Sequence, residues 1–216
     1  MPVALRSAPV GDHGRVTEQS AWARITQQDP GHSAAYVQRF RDLAAQGFDL
    51  AGEARLVDAM LPRGSRVLDA GCGPGRTGGW LARAGHVVVG VDVDPVLIAA
   101  AEEDHPGPRW LVGDLAELDL PARGIPEPFD AIVSAGNVMA FLAPGTRVAV
   151  LQRLRAHVAP GGRAVIGFGA GRGYAFDEFR DDARTAGWAE ELLLSTWDLR
   201  PFTAGSDFLV AVLRPA

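Results

Sequence analysis

Five short apolar runs alternate with helical stretches along the middle of this chain, and that alternation limits the fold more than any other feature. The runs are "RVLDAG" (66–71), "HVVVGVD" (86–92), "RWLVGD" (109–114), "FDAIVSAG" (129–136) and "GRAVIGFG" (162–169). Four of them are rich in valine or isoleucine, as strands buried on both faces of a parallel sheet are. Helical patterns at 76–84, 95–104 and 146–158, with a less regular stretch at 115–127, separate them. Strand and helix in strict alternation predict a doubly wound α/β sheet. The end of the chain breaks the pattern. "DEFRDDARTAGW" predicts a helix closing on Gly187, and "EELLLSTWDLRPF" and "SDFLVAVLRP" predict two strands joined through "TAGS". A mostly parallel seven-stranded sheet finished by an antiparallel hairpin follows.

Residues 1 to about 15 are polar, punctuated by Gly and Pro, and expected to be loose. From Val16 to about Leu61 the pattern is helical. "SAAYVQRFRDLAAQG" places Tyr36, Phe40, Leu43 and Ala44 on one stripe, and Pro62 stops "AGEARLVDAML". The expected organisation is an N-terminal helical extension over 1–60 that covers the active site, followed by one α/β domain over 61–216.

Composition removes several chemistries. All 21 basic residues are arginine, so a Schiff-base or P-loop lysine is impossible. Cys72 is the single cysteine, which leaves no internal disulfide and no zinc knuckle. With a net charge of −5 the chain lacks the basic footprint of a nucleic-acid binder. No run of 18 apolar residues exists and the first residues lack a signal-peptide core, so no membrane span and a cytoplasmic setting are expected.

The stretch "VLDAGCGPGRTGG" (67–79) joins the first strand to a glycine-rich loop. In open α/β sheets that edge holds the ligand, and the following helix offers free amides to an anion. The glycines admit two readings. Gly71, Gly73 and Gly75 spell GxGxG. Gly73, Gly75 and Gly78 spell GxGxxG, a dinucleotide fingerprint, and a lone match of either kind is weak. Asp92 lies 21 residues after Gly71 and 19 after Gly73, so it suits a ribose in both. Asp69 discriminates: a carboxylate there repels a pyrophosphate and attracts an ammonium. Asp114, with Leu115 beside it, is placed to accept from an adenine amino group.

At these residues the chain resembles the class I S-adenosylmethionine-dependent methyltransferases. "VLDAGCGPG", "VVGVDVDP", "WLVGDLAEL" and "FDAIVSAGNVMAFL" are similar to the family's first four motifs, and "LRAHVAPGGRAVIGFG" to its next helix–turn–strand. The resemblance covers about 64–214 and implies a Rossmann-like sheet with S-adenosylmethionine as cofactor and S-adenosylhomocysteine as product. It implies that Gly71, Gly73 and Gly75, with Cys72 among them, let backbone pass close to the methionine part. Asp69 would orient the amino group or the loop, Asp92 would hold the ribose, and Val93 would cover the adenine. Asp114 and the Leu115 amide would bind its edge, and Ala135 would lie near the methionine moiety. Two other readings stay open: a nicotinamide-dependent oxidoreductase using Gly73, Gly75 and Gly78, and a cofactor-binding protein without turnover.

A sulfonium methyl is already activated, so positioning supplies much of the rate and a base is needed only for an acceptor that must lose a proton. With Cys72 in the cofactor loop, a cysteine-dependent pyrimidine mechanism has no nucleophile. "SAGN" after the fourth strand departs from the Pro-Pro motif of base amino methylation. The loops after strands four and five carry no acid cluster, so no metal is expected. A small-molecule acceptor, methylated on oxygen or nitrogen, is the expected partner. Pocket candidates are Tyr36, Arg39, Asn137, Arg172, Tyr174 and Trp197; other aromatics in the same stretches are Trp22, Phe40, Phe141, Phe176 and Phe202. Weak catalytic candidates are His32, Tyr36 and Asn137. His105 is expected in a surface loop and His157 at a helix end on the surface. Gly78 and Gly79 have no role in this reading.

Overall fold

The computed structural model describes residues 18–216; the loose segment expected over 1–15 lies outside them. Three helices come first: α1 (Ala21–Gln28), α2 (His32–Ala45) and α3 (Gly52–Ala59). Then follow β1 (Arg66–Ala70), α4 (Arg76–Arg83), β2 (Val87–Asp92), α5 (Pro95–Asp104), β3 (Arg109–Val112), β4 (Phe129–Ser134), α6 (Val138–Phe141), α7 (Arg147–His157), β5 (Val158–Gly169), α8 (Phe176–Thr185), β6 (Trp188–Leu194) and β7 (Phe208–Pro215). The irregular stretch after β3 holds two short 3-10 turns.

The seven strands form one sheet in the order β3-β2-β1-β4-β5-β7-β6. The first five are parallel; β7 runs antiparallel to both β5 and β6. The order turns back between β1 and β4, so the crevice at their carboxyl ends is the topological switch point. Alternating residues of each strand feed two cores. Leu68, Val89, Ile132, Ile166 and Ala211 face one side, under α7 and α8. Val67, Val88, Val133, Val165 and Val212 face the other, where Ala54 and Val57 of α3 and Leu81 of α4 cover them. Burial on both faces explains the unbroken apolar runs.

Two boundaries differ from the sequence expectation. Strand β5 begins at Val158, directly after α7, where a turn was expected until 162; Val158 pairs with Phe129, and the register then shifts. Gly162 permits this, since a Cβ there would lie 2.9 Å from the Asp130 carbonyl oxygen. In the terminal hairpin, β6 ends at Leu194 and residues 195–207 form the connection, wider than "TAGS". Leu199 takes a positive φ of 72°, and the Ser195 N–H donates to the Arg200 carbonyl at 2.8 Å. The chain thus leaves the sheet and lays the Trp197 ring over Gly167, whose missing side chain leaves the space.

One histidine also sits elsewhere than expected. His157 is buried: its Nε2 accepts from the Leu120 N–H at 3.1 Å, so its Nδ1 donates to the Arg153 carbonyl. His105 lies in the loop after α5, as expected, half-buried against α4, and its carbonyl accepts from the Trp110 indole at 2.9 Å.

Candidate active site

The glycine loop turns at the end of β1 with positive φ at Gly71 (79°), Gly73 (53°) and Gly75 (79°). Side chains rarely adopt that region. The Gly71 and Cys72 N–H groups donate to the Val91 carbonyl at 2.8 and 3.1 Å, which fastens the loop to β2. At Gly71 a Cβ would also overlap Val138 of α6. Over Gly73 and Gly136 the nearest side chain is that of Tyr36, 4.0 and 3.9 Å from where a Cβ would sit, so a ligand can lie close to the backbone there.

Two carboxylates organise this loop. Asp92, at the end of β2, accepts from the Gly73 N–H at 2.9 Å and the Asp94 N–H at 3.0 Å. Burial raises its pKa. Asp69 is 2% exposed and accepts from the Gly78 N–H at 2.8 Å. Burial pushes it up to about 7. Asp114 stays exposed and caps the turn that carries the buried Leu115, accepting from the Ala116 N–H at 2.8 Å.

These groups line one cleft, whose space together with its open mouth is about 940 Å³. Of the residues expected at a cofactor, Asp69, Gly71, Cys72, Gly73, Asp92, Val93, Asp114, Leu115 and Ala135 all border it. Gly75 does not. It faces α5, where a Cβ would meet Ala101 at 2.9 Å and the Trp110 ring at 3.0 Å. Gly78 and Gly79 gain a role: they let α4 lie close to the sheet and to α5. A Cβ on Gly78 would sit 2.9 Å from Asp69 Oδ2 and from Trp110, and one on Gly79 would sit 2.5 Å from the His105 ring. The shifted triplet Gly73-Gly75-Gly78 therefore presents no row of amides to a pyrophosphate, because Gly75 is packed away and Gly78 donates to Asp69.

The far wall is aromatic. Trp22 meets Tyr36 and Phe141 edge to face with centroids 5.4 and 5.5 Å apart, and Tyr36 meets Phe40 at 5.0 Å. Burial raises the Tyr36 pKa and holds the Cys72 thiol well above its usual value. Arg76, first residue of α4, is a lining cation that sequence reasoning missed, although its place directly after the glycines marks it. It makes a two-pronged pair with Glu53 at 2.6 and 2.8 Å, and its guanidinium lies over the Phe40 ring. Desolvation opposes the Glu53 charge, but the bonds from Arg76 hold its pKa below the usual value.

Several pocket candidates lie outside the cleft. Tyr174 is 1% exposed in the core, its hydroxyl donating to Asp182 at 2.7 Å. Trp197 packs on the α3 side of the sheet. Asn137 accepts from the Gly169 N–H at 2.8 Å and ties the β4 loop to β5. Arg39 and Arg172 are exposed, and His32 packs on the outside of Trp22. Among the described residues no cluster of three or more His, Cys, Asp or Glu is placed to hold a metal. None of their helices is long and apolar enough to cross a membrane.

The Asp69 shift has a consequence for stability. An acid whose pKa is raised by folding binds more protons folded than unfolded, so stability falls as pH rises from about 4 toward about 7. Thermal melts across that range should show this slope, and Asp69→Asn, which can still accept from Gly78, should flatten it.

Comparison with known proteins agrees with this geometry. Residues 67–162 match the family described as "Methyltransferase domain". A TehB-like SAM-dependent methyltransferase from Corynebacterium glutamicum is 52% identical, covers 87% of this chain and all of its own, and superposes with a TM-score of 0.82. A magnesium-protoporphyrin O-methyltransferase from Rhodobacter capsulatus is 36% identical over 59% of this chain and 55% of its own length. An 18S rRNA (guanine-N(7))-methyltransferase from Mus musculus is 36% identical over 51% of this chain and 38% of its own. The chain thus spans about half the length, or less, of these two curated relatives. On that likeness to the Corynebacterium protein, which spans most of this chain and all of the other, the chain belongs to the S-adenosylmethionine-dependent methyltransferase family.

Proposed function

We propose that this chain transfers the methyl group of S-adenosylmethionine to a small-molecule acceptor, and that the acceptor is nucleophilic as it binds. The observation that carries the reading is the single cleft. Its lining combines the carboxylates Asp69, Asp92 and Asp114 with the aromatic side chains of Trp22, Tyr36 and Phe141.

The donor set fits the cofactor. Asp69 offers an acceptor for the amino group, Asp92 offers two oxygens for a diol, and the Asp114–Leu115 corner offers an acceptor and an amide for adenine. When bound, the sulfonium supplies a methyl group ready for in-line displacement. The remaining work is positioning. The loop fastened to Val91 fixes the cofactor's seat, and the aromatic side chains exclude water beside it. Apart from Asp69, Asp92 and Asp114, the titratable lining groups are Arg76, already paired, and Cys72 and Tyr36, whose raised pKa values keep them protonated. With the three carboxylates committed to the cofactor, none of the remaining lining groups is a ready base. An amine in its neutral form, or an acceptor already ionised in solution, meets that condition.

The roof formed by α1 and α2 favours a small acceptor over a nucleic acid, although curated relatives include both a protoporphyrin and an rRNA methyltransferase. Transfer of labelled methyl to low-mass acceptors, in the presence of a metal chelator, tests the reading.

A further inference from the structure

Helix α1 lies over the cleft yet buries none of its residues. Apolar packing holds it only in part, through the half-buried Trp22 against Val37, Leu97 and Ala100, and specific contacts add to it. Three are present. Glu18, just before the helix, accepts from the Gly145 N–H at 3.0 Å. The Trp22 ring touches Tyr36 and Phe141. The third contact is partly buried: the Trp22 indole N–H donates to Asp94 Oδ2 at 2.9 Å, and the buried Ser33 hydroxyl of α2 donates to the same oxygen.

Asp94 is 7% exposed and has another duty. Its Oδ1 accepts from the Val96 N–H at 2.8 Å and caps α5. Its own N–H donates to Asp92 Oδ1 at 3.0 Å. A continuous chain of hydrogen bonds thus runs from the Gly73 N–H through Asp92 and Asp94 to Trp22, that is, from the ribose end of the cleft to its aromatic wall.

We propose that Asp94 is a positioning residue: its carboxylate latches Trp22, and with it α1, over the cleft, and coupling through Asp92 makes cofactor occupancy hold the cover shut. The second acid of "DVD" (92–94) is then the latch and the first the ligand contact. Opening α1 is the route by which cofactor and product exchange. The coupling to occupancy rests on the proposed function; the latch itself does not.

Asp94→Asn isolates the latch. Asparagine is as good an N-cap as aspartate, so its oxygen still serves Val96 and α5 stays capped. Its amide nitrogen then faces the indole N–H. Ser33 can rotate to accept, but Trp22 can only donate. Trp22→Phe removes the same bond from the other side and keeps an aromatic wall. Two measurements apply. In the full chain without ligand, amide hydrogen exchange over residues 21–28 should speed up at least tenfold in both variants, while exchange in β1 and β4 stays unchanged. Labelled S-adenosylhomocysteine should dissociate about tenfold faster from each single variant, and no faster from the double variant, because both remove one bond. Unchanged exchange in α1 overturns the latch. Faster exchange in α1 with an unchanged dissociation rate, or multiplicative effects in the double variant, overturns the coupling. If the unmodified chain fails to bind S-adenosylhomocysteine, the proposed function falls and the exchange result still decides the latch.

Discussion

Asp92→Ala is expected to weaken S-adenosylhomocysteine binding by about 100-fold or more, measured by titration calorimetry. Two hydrogen bonds from ribose hydroxyls to a buried carboxylate contribute roughly 1.5–3 kcal/mol each, and about 1.4 kcal/mol is a factor of ten. The substitution also orphans the Gly73 and Asp94 N–H groups, which now share the carboxylate at 2.9 and 3.0 Å. Loss of loop order therefore adds to loss of contact. Asp92→Asn separates the two. It keeps one acceptor and the shape, so the fold should survive while affinity still drops about tenfold. Full affinity in both variants would remove Asp92 from the cofactor site.

Gly78→Val is expected to cost about 3 kcal/mol, the upper end of what overpacking a dense core costs. In a chain of this size that is a fall in Tm of about 6–12 °C. Its Cβ alone would stand 2.9 Å from Asp69 and Trp110 and 3.0 Å from Val88. Those neighbours belong to three adjacent strands and cannot retreat together. Gly78→Ala tests the sign. Helix propensity alone predicts stabilisation by about 1 kcal/mol, and the contacts predict a net loss. A thermal melt with Tm raised in Gly78→Ala would show that the helix is not pressed against the sheet.

What the sequence reveals here, and what it hides, divides by range. Strands β1, β2 and β4 are legible because each is short, apolar and buried along nearly its whole length. The cleft's carboxylates are legible because Asp69, Asp92 and Asp114 all stand at carboxyl ends of strands, where the topology must gather them. Tyr174 and Trp197 were misplaced because an aromatic in a connecting segment looks the same whether it faces a cleft or a core. Their positions depend on where the chain turns, and Leu199 sets that turn with a backbone angle no composition reveals. Gly78 and Gly79 seem costly in a helix until the Trp110 and His105 rings are seen against them. Arg76 and Asp94 escaped notice for a related reason: each acts through a partner distant in sequence, Glu53 in one case and Trp22 in the other.

The acceptor chamber carries the central claim, and one measurement addresses it directly. The full chain is incubated with methyl-labelled S-adenosylmethionine, a chelator, and matched low-mass, RNA and protein fractions from one extract. The proposed function predicts label in the low-mass fraction, dependent on Asp92 and indifferent to the chelator. Label confined to RNA or protein, or no transfer to any fraction, would contradict it.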